Sequence, residues 1–135
     1  MIAYFTRAYT FSASHRLHTD ALSSGANRTT YGKCNNPYGH GHNYRVEVTV
    51  AGPIDSETGM VINMATLDSI VRTKILDRFD HMNLNLDPLF ASQVSTTENL
   101  TIEIFNILFD ALKPARLHRI RIEETENNFF EYTGS

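Results

Sequence analysis

The 135-residue chain is predicted to be an α+β domain, a four-stranded antiparallel sheet with two helices on one face. Three observations predict it. Period-two alternation marks strands near both ends, two stretches between them follow helical spacing, and the order reads ββααββ.

The length suits a single domain, 1–135, with no room for a second core of ordinary size. A net charge of −3, with no basic stripe among aromatics, argues against nucleic-acid or membrane-surface partners. No apolar run approaches the ~20 residues needed to cross a bilayer. The start, Met1 to Arg7, lacks the layout of a signal peptide. One cysteine, Cys34, cannot form an internal disulfide, so a cytoplasmic location is expected. A domain this small buries a modest fraction of its surface, and self-association is expected.

The first strand spans residues 2 to 15, with Phe5, Tyr9, Phe11, Ala13 and His15 on one side and Tyr4, Thr6, Thr10 and Ser12 on the other. His15 therefore ends the more apolar face, where an imidazole needs a partner. From His18 to Tyr38 periodicity vanishes among Ser, Thr, Asn and Gly, which predicts a long surface loop. The second strand, Asn43 to Ala51, alternates Tyr44, Val46, Val48 and Val50 against Arg45, Glu47 and Thr49. Asn63 is a helix N-cap, after which Met64, Leu67, Ile70, Val71, Ile75 and Phe79 keep helical spacing.

Ser95-Thr96-Thr97-Glu98 matches a capping box and opens the second helix, which Lys113-Pro114 should end. Few of its positions are polar, so it is expected to be buried on more than one side, the extra side against another subunit. Arg116 to Glu124 is the third strand, and Glu124 lies in phase with Ile120 and Ile122. Asn127-Asn128 turns into the last strand, Phe129 to Tyr132.

The chemistry gathers around Cys34-Asn35-Asn36-Pro37-Tyr38-Gly39-His40-Gly41-His42. In an extended segment His40 and His42 project to one face, as two ligands of one metal would. His15 joins them if the first two strands pair. Three histidines with an open fourth position are a catalytic zinc pattern, whereas a closed set of four is structural. The bland alternative is two surface histidines and one satisfied core histidine. Cys34 fits three roles: fourth ligand, buried small side chain, or thiolate base beside a metal. Asp80-His81 is either an ordinary turn after a helix or a proton relay. Glu98 is explained by capping. Glu124, on an apolar face, either reaches solvent at the strand end or meets a ligand with two parallel N–H groups.

Six segments together carry a family resemblance: Phe11 to Leu17, Cys34 to Tyr44, Thr58 to Val61, Phe79 to Leu84, Val94 to Asn99, and Glu124 to Asn128. The sequence resembles the 6-pyruvoyl-tetrahydropterin synthases of the tunnelling-fold (T-fold) superfamily. That resemblance implies Zn2+ held by His15, His40 and His42. It makes Cys34 the general base, with Asp80 and His81 relaying protons, and Glu124 the pterin anchor. Thr96, Thr97 and Glu98 would line the pterin pocket. The implied reaction eliminates triphosphate from 7,8-dihydroneopterin triphosphate, and the sheets would join into the barrel of a homohexamer with sites between subunits. Arg16, Arg28 and Lys33 are triphosphate contacts on charge alone. The related 6-carboxy-tetrahydropterin synthases typically place the thiol closer to the His-x-His pair; here five residues, Asn35 to Gly39, intervene. A branch with Glu in place of the cysteine does not match Cys34. A non-catalytic zinc or pterin-binding module is the reading from a different class.

Overall fold

The computed structural model describes residues 1–112 and 116–135. β1 (Ile2–His15) is followed by α1 (Ser24–Tyr31), a 3-10 turn (Gly32–Asn35) and β2 (His40–Pro53). α2 (Met64–Val71) runs through a π-helical turn (Arg72–Leu76) into α3 (Asp77–Phe79), and β3 (Met82–Asn83) comes next. α4 (Thr97–Ala111), β4 (Leu117–Thr125) and β5 (Asn128–Tyr132) complete the chain. No described helix is long and apolar enough to cross a membrane.

The sheet order is β3-β1-β2-β4-β5, and every pairing is antiparallel except β1 with β3. Paired residues of an antiparallel ladder share a face. Phe11 opposite Tyr44 and Val46 opposite Ile122 therefore point together into the core, where they meet Leu67, Ile75 and Phe79 and, from α4, Leu100, Ile104 and Leu108. The opposite face carries Arg45, Glu47, Arg121 and Glu123 in linked ion pairs, with Arg119 paired to Glu131 and the Arg121 guanidinium 3.8 Å from the Phe129 ring centre. The long helices thus cover one face, as the alternation predicts.

Four expectations need correction. The sheet has a fifth strand, because Met82 and Asn83 pair with Ala13 and Ser14; two residues are too few to alternate visibly. The expected loop from His18 to Tyr38 contains α1 and the 3-10 turn. α1 forms around a polar residue: Asn27 is fully buried, accepts from Thr19 N–H, and donates to the carbonyls of Thr19, Leu22 and Ser23. A helix held by an amide side chain has no apolar period to read. The second helix is capped by Thr96, whose hydroxyl accepts from Asn99 N–H, because the Ser95 hydroxyl turns to the Arg16 carbonyl. The second strand begins at His40, so the histidine pair is part of the ladder itself. Lys113-Pro114, the expected helix stop, lies outside the described residues. Part of the extra apolar side of α4 is met within the chain, where Phe105 packs edge-on against Tyr132 at 5.1 Å.

Arg78 and Asp87 tie the end of α3 to the segment that leads to α4. The guanidinium donates at 2.9 and 2.8 Å to the two carboxylate oxygens, and Asp87 also accepts from Leu89 N–H. The guanidinium holds the Asp87 carboxyl below its ordinary 3.8. A carboxylate with a depressed folded value stabilises above its unfolded value, and that stabilisation is lost as pH falls through the folded one. Asp87→Asn is expected to cost about 1 kcal/mol at pH 7. The gap to the parent should close below the ordinary Asp range, as urea melts at pH 7 and pH 3 would reveal.

Candidate metal centre and ligand pocket

His15 opposes His40 and Ala13 opposes His42 in the β1–β2 ladder, which brings three imidazoles to one end of the core face. One ring nitrogen from each lies within 4.8 Å of the others. The rings pack edge to face, at 4.7 Å for His15 with His40 and for His40 with His42. His15 is 1% exposed, and its Nδ1 sits 2.7 Å from the Ser95 carbonyl oxygen. A carbonyl only accepts, so Nδ1 carries the proton and Nε2 presents its lone pair to the cluster. His40 Nδ1 and His42 Nε2 are buried with no hydrogen-bond partner.

Buried imidazole nitrogens rarely stay unpaired, because each costs its desolvation. Burial lowers the proton affinity of His15 and His40, so both are neutral near pH 7, the form that binds metal. The donor set fits a zinc ion: three imidazoles, one locked in tautomer by a carbonyl and two with atoms left unsatisfied.

Cys34 stands outside this cluster, on the 3-10 turn, half-buried, with its carbonyl accepting from Leu17 N–H at 2.8 Å. Burial pushes its thiol up, and the Glu124 carboxylate adds to the rise. Glu124 marks a β-bulge: β4 advances from Glu123 to Thr125 while β5 moves only from Phe129 to Asn128. The extra residue re-aims its side chain. Its carboxylate accepts from the Thr97 hydroxyl at 2.8 Å and from the Asn128 carboxamide at 3.1 Å. One carboxylate oxygen is 3.5 Å from His42 Nε2 and 3.8 Å from His15 Nε2, so acid and imidazoles share one site.

Asp80 and His81 are assembled on the link between α3 and β3. Asp80 accepts from Ser12 N–H at 2.9 Å and lies 3.0 Å from His81 Nδ1; the Ser12 bond, with the imidazole's help, holds its carboxyl below the usual range. His81 has φ 61°, a left-handed conformation that a non-glycine residue seldom adopts without a reason, and its side chain is 82% exposed. It lines a cavity of about 530 Å3 with His42, Ser12 and Asn43. Of the threonine segment, Thr97 reaches Glu124, Thr96 caps α4, and Glu98 is exposed in its first turn. Arg16 lines a second cavity, of about 580 Å3, with His18 and Gln93, while Arg28 and Lys33 are exposed on the surface.

Residue type alone missed three supports. Ser95 acts through its carbonyl, which no side-chain pattern reveals. Asn85 takes both the N–H and the carbonyl of Arg16 with its carboxamide, at 2.7 and 3.0 Å, and so fixes the chain just after His15. Asn128 is a strand residue that the bulge turns onto Glu124.

The description "6-pyruvoyl tetrahydropterin synthase" belongs to a family model that matches residues 4–135. A 6-pyruvoyl tetrahydrobiopterin synthase of Poecilia reticulata is 52% identical over 134 residues, covering 98% of this chain and 91% of its own. The Homo sapiens protein of that name is 47% identical over 133 residues, covering 98% and 92%. The solved 6-pyruvoyl tetrahydropterin synthase of Caenorhabditis elegans superposes with a TM-score of 0.95 at 43% identity, covering 100% of this chain and 97% of its own.

Gly39 sets the approach to the centre. Its φ is +75°, and a Cβ there would lie 2.9 Å from the His15 carbonyl oxygen. Gly39→Ala must therefore shift the backbone of two histidine-bearing strands. It is expected to weaken zinc binding by roughly tenfold or more, read by competition with a chromophoric chelator; parental affinity would show that the approach is slack.

Proposed function

The chain belongs to the 6-pyruvoyl tetrahydropterin synthase family, with its T-fold, and on that premise we propose that it converts 7,8-dihydroneopterin triphosphate to 6-pyruvoyl-tetrahydropterin, eliminating triphosphate. The observation that carries this is the Glu124 carboxylate, pinned by Thr97 and Asn128 and only 3.5 Å from His42 Nε2. An acceptor for paired N–H groups and a metal centre in one pocket suit a ligand with a pterin ring at one end and side-chain oxygens at the other.

His15, His40 and His42 would hold zinc, whose Lewis acidity would make the C–H bonds beside the side-chain oxygens easier to deprotonate. Glu124 binds the N–H edge of the ring, and Thr97 orients it. Cys34 is the base. Its thiol is pushed up by burial and by Glu124 within the chain, so it needs nearby positive charge to ionise near neutrality. Asp80 and His81 accept and return protons. Arg16 meets the triphosphate on the cavity it lines; Arg28 and Lys33, exposed, add only long-range attraction. The protons move from side chain to ring within the substrate, and no external redox cofactor takes part.

The chain acts as a single domain in the cytoplasm and assembles as a homohexamer. In support, β3 covers β1 only at Ala13 and Ser14, which leaves the rest of that edge and the outer edge of β5 open to other copies. Ile2, Tyr4 and Phe129, on those strands, are all more than half exposed.

Three measurements test the reading. Incubation with dihydroneopterin triphosphate should give a product with the mass of the pyruvoyl compound; a 6-carboxy product selects the related synthase, and no turnover selects a binding module. Cys34→Ala should retain stoichiometric zinc while turnover is lost, whereas a zinc-free variant would make the thiol a ligand. Glu124→Gln should weaken pterin binding by at least about tenfold, and unchanged affinity would remove its role as anchor.

A further inference from the structure

Cys34 is placed less by its own chain connection to the histidine pair than by a cross-link behind it. Five residues lie between Cys34 and His40, and Asn36, Pro37 and Tyr38 among them are exposed. An exposed connection of that kind fixes the thiol only loosely. On the other side, the Leu17 N–H donates to the Cys34 carbonyl at 2.8 Å, two residues beyond His15. The 3-10 turn that carries the thiol is thus laid directly on the segment leaving the buried imidazole.

Asn35 closes that contact. It is the one buried residue of the turn, 5% exposed. Its carboxamide nitrogen donates to the Leu17 carbonyl at 2.7 Å and lies 3.1 Å from His18 Nδ1. Its main-chain carbonyl accepts from Arg16 Nε at 3.2 Å. The amide can face only this way, because its oxygen would otherwise abut the Leu17 carbonyl oxygen. Both of its N–H bonds are therefore committed, and His18 Nδ1 is an acceptor. Arg16 is held in turn by the Asn85 carboxamide, at 2.7 Å through its N–H and 3.0 Å through its carbonyl. Asn35 so joins a turn with no buried apolar side chain to a segment already held by β1 and Asn85. Removing the carboxamide would leave the Leu17 carbonyl and the His18 ring nitrogen without this donor.

We propose that Asn35 is a positioning residue for the thiol: through Leu17 and His18 its carboxamide fixes where Cys34 stands relative to His15. The consequence for turnover rests on Cys34 being the base of the proposed reaction. The placement itself is a property of the chain and is measured without substrate.

The test compares the zinc-loaded parent with Asn35→Ala. Cys34 is the only cysteine, so uptake of iodoacetamide, followed by mass, reports on that thiol alone. Asn35→Ala should keep stoichiometric zinc and alkylate roughly tenfold faster, as the half-buried thiol is freed. Its kcat on dihydroneopterin triphosphate should fall roughly tenfold or more, with KM changed far less. Unchanged alkylation overturns the inference, and so does a loss of zinc that accounts for the loss of kcat. Asn27→Ala is the control for general loosening, since that amide is also buried but bonds only to Thr19, Leu22 and Ser23. It should lower the melting temperature while the thiol reacts at the parental rate. Equal acceleration in both variants would show that Asn35 only stabilises, against the inference. If Asn35→Ala does not fold, Asn35→Ser, too short to reach Leu17 and His18, is read in the same way. Faster alkylation of the variant, in a protein whose parent gives no turnover, would uphold the placement and reject the base.

Discussion

The register of β1 against β2 is the constraint on which the site depends. His15 opposite His40, and Ala13 opposite His42, put three imidazoles at the end of the face that also carries Phe11 and Tyr44. Side chains alternate along a strand, so a slip of one residue would send the histidines and the core aromatics to the other face together. Burial of Phe11, Tyr44, Val46 and Val48 therefore enforces the histidine geometry. Core packing and metal ligation select the same alignment.

A second dependence runs through the start of α4. Ser95, just before the helix, supplies the carbonyl that fixes the His15 tautomer; Thr96 caps the helix; Thr97 reaches the Glu124 carboxylate. Three successive residues thus serve His15, the helix and Glu124. The segment is held from both sides, by Asn99 donating to the Val94 carbonyl and by Arg78 gripping Asp87. The helix that completes the core also sets the distance between the histidine cluster and the Glu124 carboxylate.

Much of this was legible in the sequence, and the reasons differ by element. The long strands alternate cleanly because one face is buried, which gave β1, β2 and β4 and the parity that joined His15 to His40 and His42. Glu124 stood out because a carboxylate in phase with Ile120 and Ile122 is costly without a partner. What stayed hidden was made by main-chain groups or by polar side chains with no period. The Ser95 carbonyl, the α1 helix built on Asn27, the two-residue β3 and the bulge at Glu124 leave no apolar pattern. The capping box was off by one position because Ser and Thr both cap, and only the competing bond to Arg16 decides between Ser95 and Thr96.

On the proposed function, three histidines alone hold the metal and the thiol of Cys34 is left free beside it. X-ray absorption at the zinc edge of the loaded protein tests this most directly. Nitrogen and oxygen scatterers at ~2.0 Å, with an imidazole signature and no sulfur, are expected. A sulfur scatterer at ~2.3 Å would contradict it, because Cys34 would then be a ligand of a closed structural site.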